Sequence, residues 1–266
     1  MGVVVDPGRQ GVIAAELDVA VNQDIRSGGT AKLQSALVGG PSCDAFGFSV
    51  ERAVKAVAAD IGGLFCNADV TDADSMAAAF GAARAAHGQE RVLVSCAGIA
   101  PGAKTVSKGE PHDAQLFRTT LDINLYGVFL ASSLSAAGMS EAEALNDDGE
   151  RGVIINTASI AAFDGQMGQI AYAASKAGIV GMTLPMARDL SRSGVRVMAI
   201  APGLFGTPMM KGLPQEVQDS LADKTPFPQR LGDPAEFASM VCTICENTMM
   251  NGEVIRLDGA IRMAAR

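Results

Sequence analysis

The sequence predicts one α/β domain built on a doubly wound parallel sheet. From about residue 50 onward, segments with apolar residues at helical spacing alternate with short runs rich in Val and Ile, the pattern of a parallel sheet wrapped by helices. No Pro- or Ser-rich linker divides the 266 residues, so a single core is expected over residues 1–266. With 48% hydrophobic and 19% charged residues, the chain has too much apolar surface to stay solvated and disordered.

The elements follow in order. Val50, Ala53, Val54, Val57 and Ile61 share one helical face, and Gly62 and Gly63 supply the stop. A strand is expected over residues 64–68, then a turn from Asp69 to Asp72 in which Thr71 or Asp72 caps a helix over 75–87. Residues 91–95 read as the next strand, which completes a βαβ unit. The spacing predicts one helix over 113–136 with Asn124 in its middle, a polar and acidic loop over 138–152, and a strand over 152–156. A helix over 172–189 and a strand over 195–201 come next, and the strand leads into a rigid loop from Pro202 to Pro208. Helices over 216–221 and 234–244 and a strand over 253–257 finish the pattern, with Asp258, Gly259 and Ala260 as a turn. Ligands in such sheets bind beyond the carboxyl ends of the strands.

Composition excludes several functions. A formal charge of −8 disfavours broad contact with nucleic acid or an anionic membrane, and leaves a small-molecule substrate as the expected partner. The longest apolar runs fall far short of the roughly 20 residues needed to cross a bilayer. The N-terminus has no basic cluster before an apolar stretch, so a cytoplasmic location is expected. Five cysteines lack metal-like pairing, Cys242 and Cys245 read as one helix turn, and the two histidines, His112 among them, are far apart and read as structural or solvated. No metal is expected.

The chemistry points to Tyr172 and Lys176. Four residues apart on a helix, they share a face, and an ammonium near a phenol stabilises the phenolate and lowers its pKa towards working pH. Such a tyrosine can exchange a proton with an alcohol oxygen once another group fixes that oxygen. Ser159 ends a strand-derived segment thirteen residues before Tyr172 and is the candidate for that substrate-binding role. For the Tyr–Lys pair alone, a tyrosine covering a buried face beside an ordinary lysine is the competing reading. The set with Ser159 and Asn124 outweighs it.

Ser159, the run Tyr172, Ala173, Ala174, Ser175, Lys176, and Asn124 between Ile123 and Leu125 together resemble the active site of the short-chain dehydrogenase/reductase family. Over residues 50–266, the segments 152–159, 178–185, 201–208, 226–234 and 251–262 resemble the members that act on 3-hydroxyacyl-CoA. The resemblance implies a Rossmann fold, NAD as cofactor, and hydride transfer at the 3-hydroxy group of an acyl-CoA, 2-methyl-branched chains included, in a homotetramer. It implies that Tyr172 is the acid/base, that Ser159 orients the substrate oxygen, and that Asn124 supports a water relay. Lys176 would lower the tyrosine pKa and hold the nicotinamide ribose. It further implies cofactor contacts at Cys96, Ala97 and Gly98 by the nicotinamide, at Asp69 and Val70 by the adenine, and at Pro202, Gly203, Phe205 and Thr207 by the carboxamide. A turn-forming role for Asp69 and a capping role for Thr207 stay open. Phe163, Met167, Leu204, Met209 and Met210 supply apolar surface for a lining or for the core. Other secondary alcohols or ketones, hydroxysteroids among them, are alternative substrates.

One part of the pattern is missing. The family's phosphate loop, Thr-Gly-x-x-x-Gly-x-Gly after the first strand, does not occur. Counting back from Asp69 puts the first strand at 19–21, the loop at 22–29 and the first helix at 30–38, where only Ser27 and Gly28 match; a strand from Val3 with a loop to Gly11, its glycines mis-spaced, ranks second. Asp24 would face a phosphate and repel it unless Arg26 neutralised it. Two alternatives follow: a 3-oxoacyl carrier-protein reductase using NADPH, and a scaffold that has lost its dinucleotide.

Overall fold

The structure is a computed structural model that describes residues 2–5, 11–15, 37–39, 50–207, 210 and 214–265. Its centre is a six-stranded sheet in the order β1 (Gly2–Val5), β2 (Gly11–Ala15), β5 (Val92–Ser95), β8 (Gly152–Thr157), β9 (Val195–Pro202) and β10 (Val254–Leu257). β2, β5, β8, β9 and β10 are parallel, and β1 is the antiparallel edge. β3 (Leu37–Gly39) and β4 (Phe65–Asn67) form a parallel pair lying against β1. The chain thus builds outward on the β3–β4 side, returns to β5, and builds outward again through β8, β9 and β10. That reversal between β2 and β5 is the topological switch of a doubly wound fold, where a crevice opens.

Alternation along the central strands explains why both faces are covered. Leu93, Ile154, Val195 and Val197 point to one face, where they meet Met76, Phe80, Ala131 and Met139 of α2 (Ala73–His87) and α4 (Gly127–Ser140). Val94, Ile155, Met198 and Ile200 point to the other, onto Phe237 and Ile244 of α8 (Pro234–Glu246). Strands buried on both sides read as continuous apolar runs, as these do. α6 (Ile170–Asp189) packs its Ile179 against Ala199 and Ala201, so it lies over the carboxyl half of β9.

The remaining helices are α1 (Val50–Asp60), α3 (Ala114–Leu121), α5 (Ala161–Asp164) and α7 (Gln215–Ala222). Asp72 caps α2 by accepting from the Ser75 amide at 2.8 Å. The single helix expected over 113–136 is three pieces: α3, a widened π turn at Asp122–Tyr126, and α4, which runs four residues further than expected. The expected loop over 138–152 therefore starts at Glu141. A short hairpin, β6 (Val106–Ser107) with β7 (Glu110–Pro111), and α5 were not anticipated.

The first strand is also different from the expectation. The strand beside β5 is Gly11–Ala15, whereas the segments 19–21, 22–29 and 30–36 lie outside the described residues. Ser27 and Gly28 lie outside them as well, as does Met209.

One ion pair ties the far end of the sheet together. Arg196 on β9 binds Glu150 at 2.7 Å and donates to the carbonyls of Ile244 at 2.9 Å and Met250 at 2.8 Å, and to Cys245 at 3.3 Å. It places a cation at the carboxyl end of α8, where the helix carbonyls lack helical partners.

Candidate active site

Ser159 is carried out of β8 and held there by its backbone. The amides before and after it, Ala158 and Ile160, donate to Ile200 at 2.8 Å and Pro202 at 3.2 Å, so the segment continues the sheet for two residues beyond the strand. The Ser159 hydroxyl accepts from the Ala161 amide at 3.1 Å, which starts the one-turn helix α5, and it hydrogen-bonds the Tyr172 phenol. Segment 165–169 returns the chain to α6, whose first turn carries Tyr172.

Lys176 lies one turn further along α6 and is 3% exposed. Its ammonium donates to the Thr157 carbonyl at 2.7 Å and sits 5.9 Å from the Tyr172 ring centroid. Burial pushes its pKa down from 10.5 to about 8, while the Cys96 thiol nearby favours the charged form. The Tyr172 phenol moves the other way. Burial raises it above its ordinary value, and the Ser159 hydrogen bond only partly offsets this. That is opposite to the sequence expectation, because the loss of water around the phenolate outweighs its neighbours. Burial also raises the Cys96 thiol, and the Thr157 hydroxyl, 3.5 Å away, works against that rise.

Asn124 is fully buried in the π turn. Its carbonyl oxygen accepts from the Ile99 amide at 2.7 Å, and its amide donates to the Ile99 carbonyl at 2.8 Å and to Ser175 at 3.0 Å. Ser175 in turn donates to the Tyr172 carbonyl at 2.7 Å. The side chain is thus a clamp between the loop leaving β5 and the first turns of α6. Gly98 faces this clamp: a Cβ built there would lie 3.2 Å from Asn124 Oδ1 and 3.5 Å from Lys176 Nζ.

The structure brings Ser159, Tyr172, Lys176, Asn124, Cys96 and Gly98 together. Other expected positions have local partners. Asp69 accepts from the Thr71 amide at 2.9 Å and its hydroxyl at 2.8 Å, and Val70 is buried where α4 approaches, 2.9 Å from a Cβ built on Gly127. Pro202 ends β9, and Gly203 donates to Leu257 at 2.9 Å and lies flush against Asp258. The Phe205 ring covers Gly232 and meets Phe237 edge-on at 6.5 Å. Thr207 accepts from the Met210 amide at 3.4 Å. Leu204 accepts from the Gly232 amide at 2.8 Å. Phe163 and Met167 are half-exposed between Ser159 and Tyr172.

Sequence reasoning gave no role to three members of this constellation: Ser175, the Thr157 carbonyl and the Ile99 backbone. Ser175 was legible, since it stands three residues after Tyr172 on the same helix. The two backbone groups have no side-chain signature.

A family model described as enoyl-(acyl carrier protein) reductase matches residues 45–261. The chain is 55% identical over 202 residues to 3-hydroxyacyl-CoA dehydrogenase type-2 of Homo sapiens, covering 75% of this chain and 77% of the relative. The chain belongs to the short-chain dehydrogenase/reductase family. The Drosophila melanogaster 3-hydroxyacyl-CoA dehydrogenase type-2 is 51% identical over 202 residues, covering 75% of this chain and 79% of the relative. A solved structure of 3-hydroxyacyl-CoA dehydrogenase type-2 from Mycobacterium avium superposes with a TM-score of 0.76 at 39% identity, covering 86% of this chain and 87% of that one.

As a short-chain dehydrogenase/reductase the chain is an oxidoreductase, and the family implies a nicotinamide cofactor. The residues present fit that group. A buried ammonium has donor capacity beyond the Thr157 carbonyl, which suits ribose hydroxyls. Gly98 leaves the approach beside it open.

Proposed function

We propose that this chain transfers a hydride between NAD and the 3-hydroxy group of an acyl-CoA, 2-methyl-branched chains included. The observation that carries the reading is the Ser159–Tyr172 hydroxyl pair beside the buried Lys176 ammonium, at the carboxyl end of β8. The identity of the chain to 3-hydroxyacyl-CoA dehydrogenase type-2 enzymes supports the substrate class.

The substrate oxygen sits between the Ser159 and Tyr172 hydroxyls, and Ser159 orients it. In oxidation Tyr172 takes up the hydroxyl proton, and in reduction it returns one to the carbonyl oxygen. The bound nicotinamide supplies or accepts the hydride. Lys176 holds the nicotinamide ribose, and while it is protonated its charge favours the phenolate. Asn124 fixes the loop over the nicotinamide through Ile99 and passes Tyr172's position on through Ser175. Cys96 and Gly98 border the nicotinamide, Pro202, Phe205 and Thr207 its carboxamide, and Asp69 and Val70 the adenine. Tyr126 and Phe129, stacked at 6.5 Å and exposed, support a face for assembly into a homotetramer.

A second reading rests on the sequence after β2, which begins Glu16, Leu17, Asp18 where the family places glycines. It is a scaffold that keeps the site and binds dinucleotide weakly. Titrating the protein with NADH and with NADPH while following nicotinamide fluorescence separates the two. Saturable binding that favours NADH is expected for the dehydrogenase. A folded protein that binds neither contradicts it, and preference for NADPH points to a carrier-protein reductase.

A further inference from the structure

The segment joining Ser159 to Tyr172 is tied to the C-terminal segment by contacts that the proton-transfer chemistry does not use. Arg256 on β10 is the centre. It donates to Asp164 at 2.5 Å, to Asp258 at 2.8 Å and to the Ile261 carbonyl at 3.2 Å. Its guanidinium also lies over the Phe163 ring, 5.1 Å from the centroid. Arg262 adds a second bond to Asp258 at 3.1 Å. Further along, the Met167 amide donates to Ala265 at 3.0 Å and the Gln166 side chain to Ala264 at 3.0 Å. On its other side the segment is fastened to the site itself. Gly168 accepts from the Ala103 amide at 2.8 Å, and Gly165 packs so closely on Ala173, next to Tyr172, that a Cβ there would lie 3.0 Å away.

Phe163 and Met167 keep 47% and 50% of their surface exposed within this fastened segment. Large apolar side chains left open in the segment that joins Ser159 to Tyr172, with one ring backed by a guanidinium, form a wall of fixed position. A wall held from behind rewards an apolar chain laid along it, because the ordering has been done before binding. We propose that Arg256 is a positioning residue that sets substrate preference: through Asp164 it holds Phe163 in place, and with the C-terminal contact to Met167 this fixes Phe163 and Met167 as the wall that receives the acyl chain. This rests on the acyl-CoA reading of the site. Arg256 touches no reacting atom, so its effect appears in the binding of long chains and not in proton transfer.

The test compares acetoacetyl-CoA with a medium-chain 3-oxoacyl-CoA in the full chain, as purified, and in two variants. Asp164→Asn removes the charge that Arg256 grips, and removal of residues 263–266 takes away the carbonyls that bind Met167 and Gln166. In both, KM for the medium chain is expected to rise about tenfold, the equivalent of burying roughly two fewer methylene groups. KM for acetoacetyl-CoA, the kcat values and the pH profile stay close to those of the unmodified chain, and the Met167 amide exchanges hydrogen faster. A role confined to stability would lower the active fraction equally for both substrates. An unchanged ratio of the two KM values in an active pair of variants therefore overturns the proposal. Absence of turnover by the unmodified chain on either substrate overturns the acyl-CoA reading, and the preference claim with it.

Discussion

Burial places opposite demands on Lys176 and Tyr172. The lysine falls to about 8 and the phenol rises, so around neutral pH both hold their protons. Tyr172 is then ready as an acid for carbonyl reduction and must first lose its proton to act as a base. The rate of oxidation relative to reduction should climb with pH through the alkaline range, which initial rates in both directions will read. A ratio flat across that range would contradict the assignment of Tyr172. Stability carries a second signature. Below about pH 8 Lys176 is charged in both states and its burial cost is fully present. Between about 8 and 10.5 the unfolded chain binds more protons than the folded one, so stability rises with pH, and above 10.5 the cost is gone. The depression corresponds to on the order of 3 kcal/mol at most. Lys176→Met should remove this alkaline rise in urea titrations. The Tyr–Lys spacing was legible in the sequence because helix geometry fixes it. The direction of the phenol shift was not, because four-residue spacing says nothing about how much water reaches the ring.

Between residues 113 and 136 the helical periodicity reads as unbroken, yet the chain inserts a π turn at Asp122–Tyr126. The wider turn places Asn124 against Ile99 and Ser175, and a single such turn is too short to stand out in the hydrophobic spacing. The strands β5, β8 and β9 and the helix α2 were legible for the opposite reason, since each buries apolar residues with its own period. Ion pairs between elements were not. Arg196 stands in an apolar strand where its role is hidden until Glu150 and the end of α8 are placed around it. Arg196→Met should leave Glu150 and several carbonyls without their partner and cost about 3–5 kcal/mol in denaturant unfolding. A loss below about 1 kcal/mol, the range of an exposed pair, would show that this junction is solvated.

At the scale of the whole molecule, the doubly wound sheet and its switch point were readable from the order of elements, but the edge beyond β5 was not. Spacing borrowed from Asp69 pointed to residues 19–21, whereas Gly11–Ala15 lies beside β5 and Gly2–Val5 closes the edge antiparallel. Both stretches have the β-branched character of a strand, and without the glycine loop nothing local chooses between them. The site nevertheless assembles from residues 96–98, 124, 157–159 and 172–176, all from the part of the chain whose pattern was clear. Hydride transfer is the reaction this assembly is proposed to perform. The most direct test is NADH-dependent reduction of acetoacetyl-CoA by the unmodified chain and by Tyr172→Phe. Turnover by the former, a loss on the order of a hundredfold or more in kcat for the variant, and equal thermal stability of the two are predicted. A folded variant that turns over as fast as the unmodified chain would contradict the account.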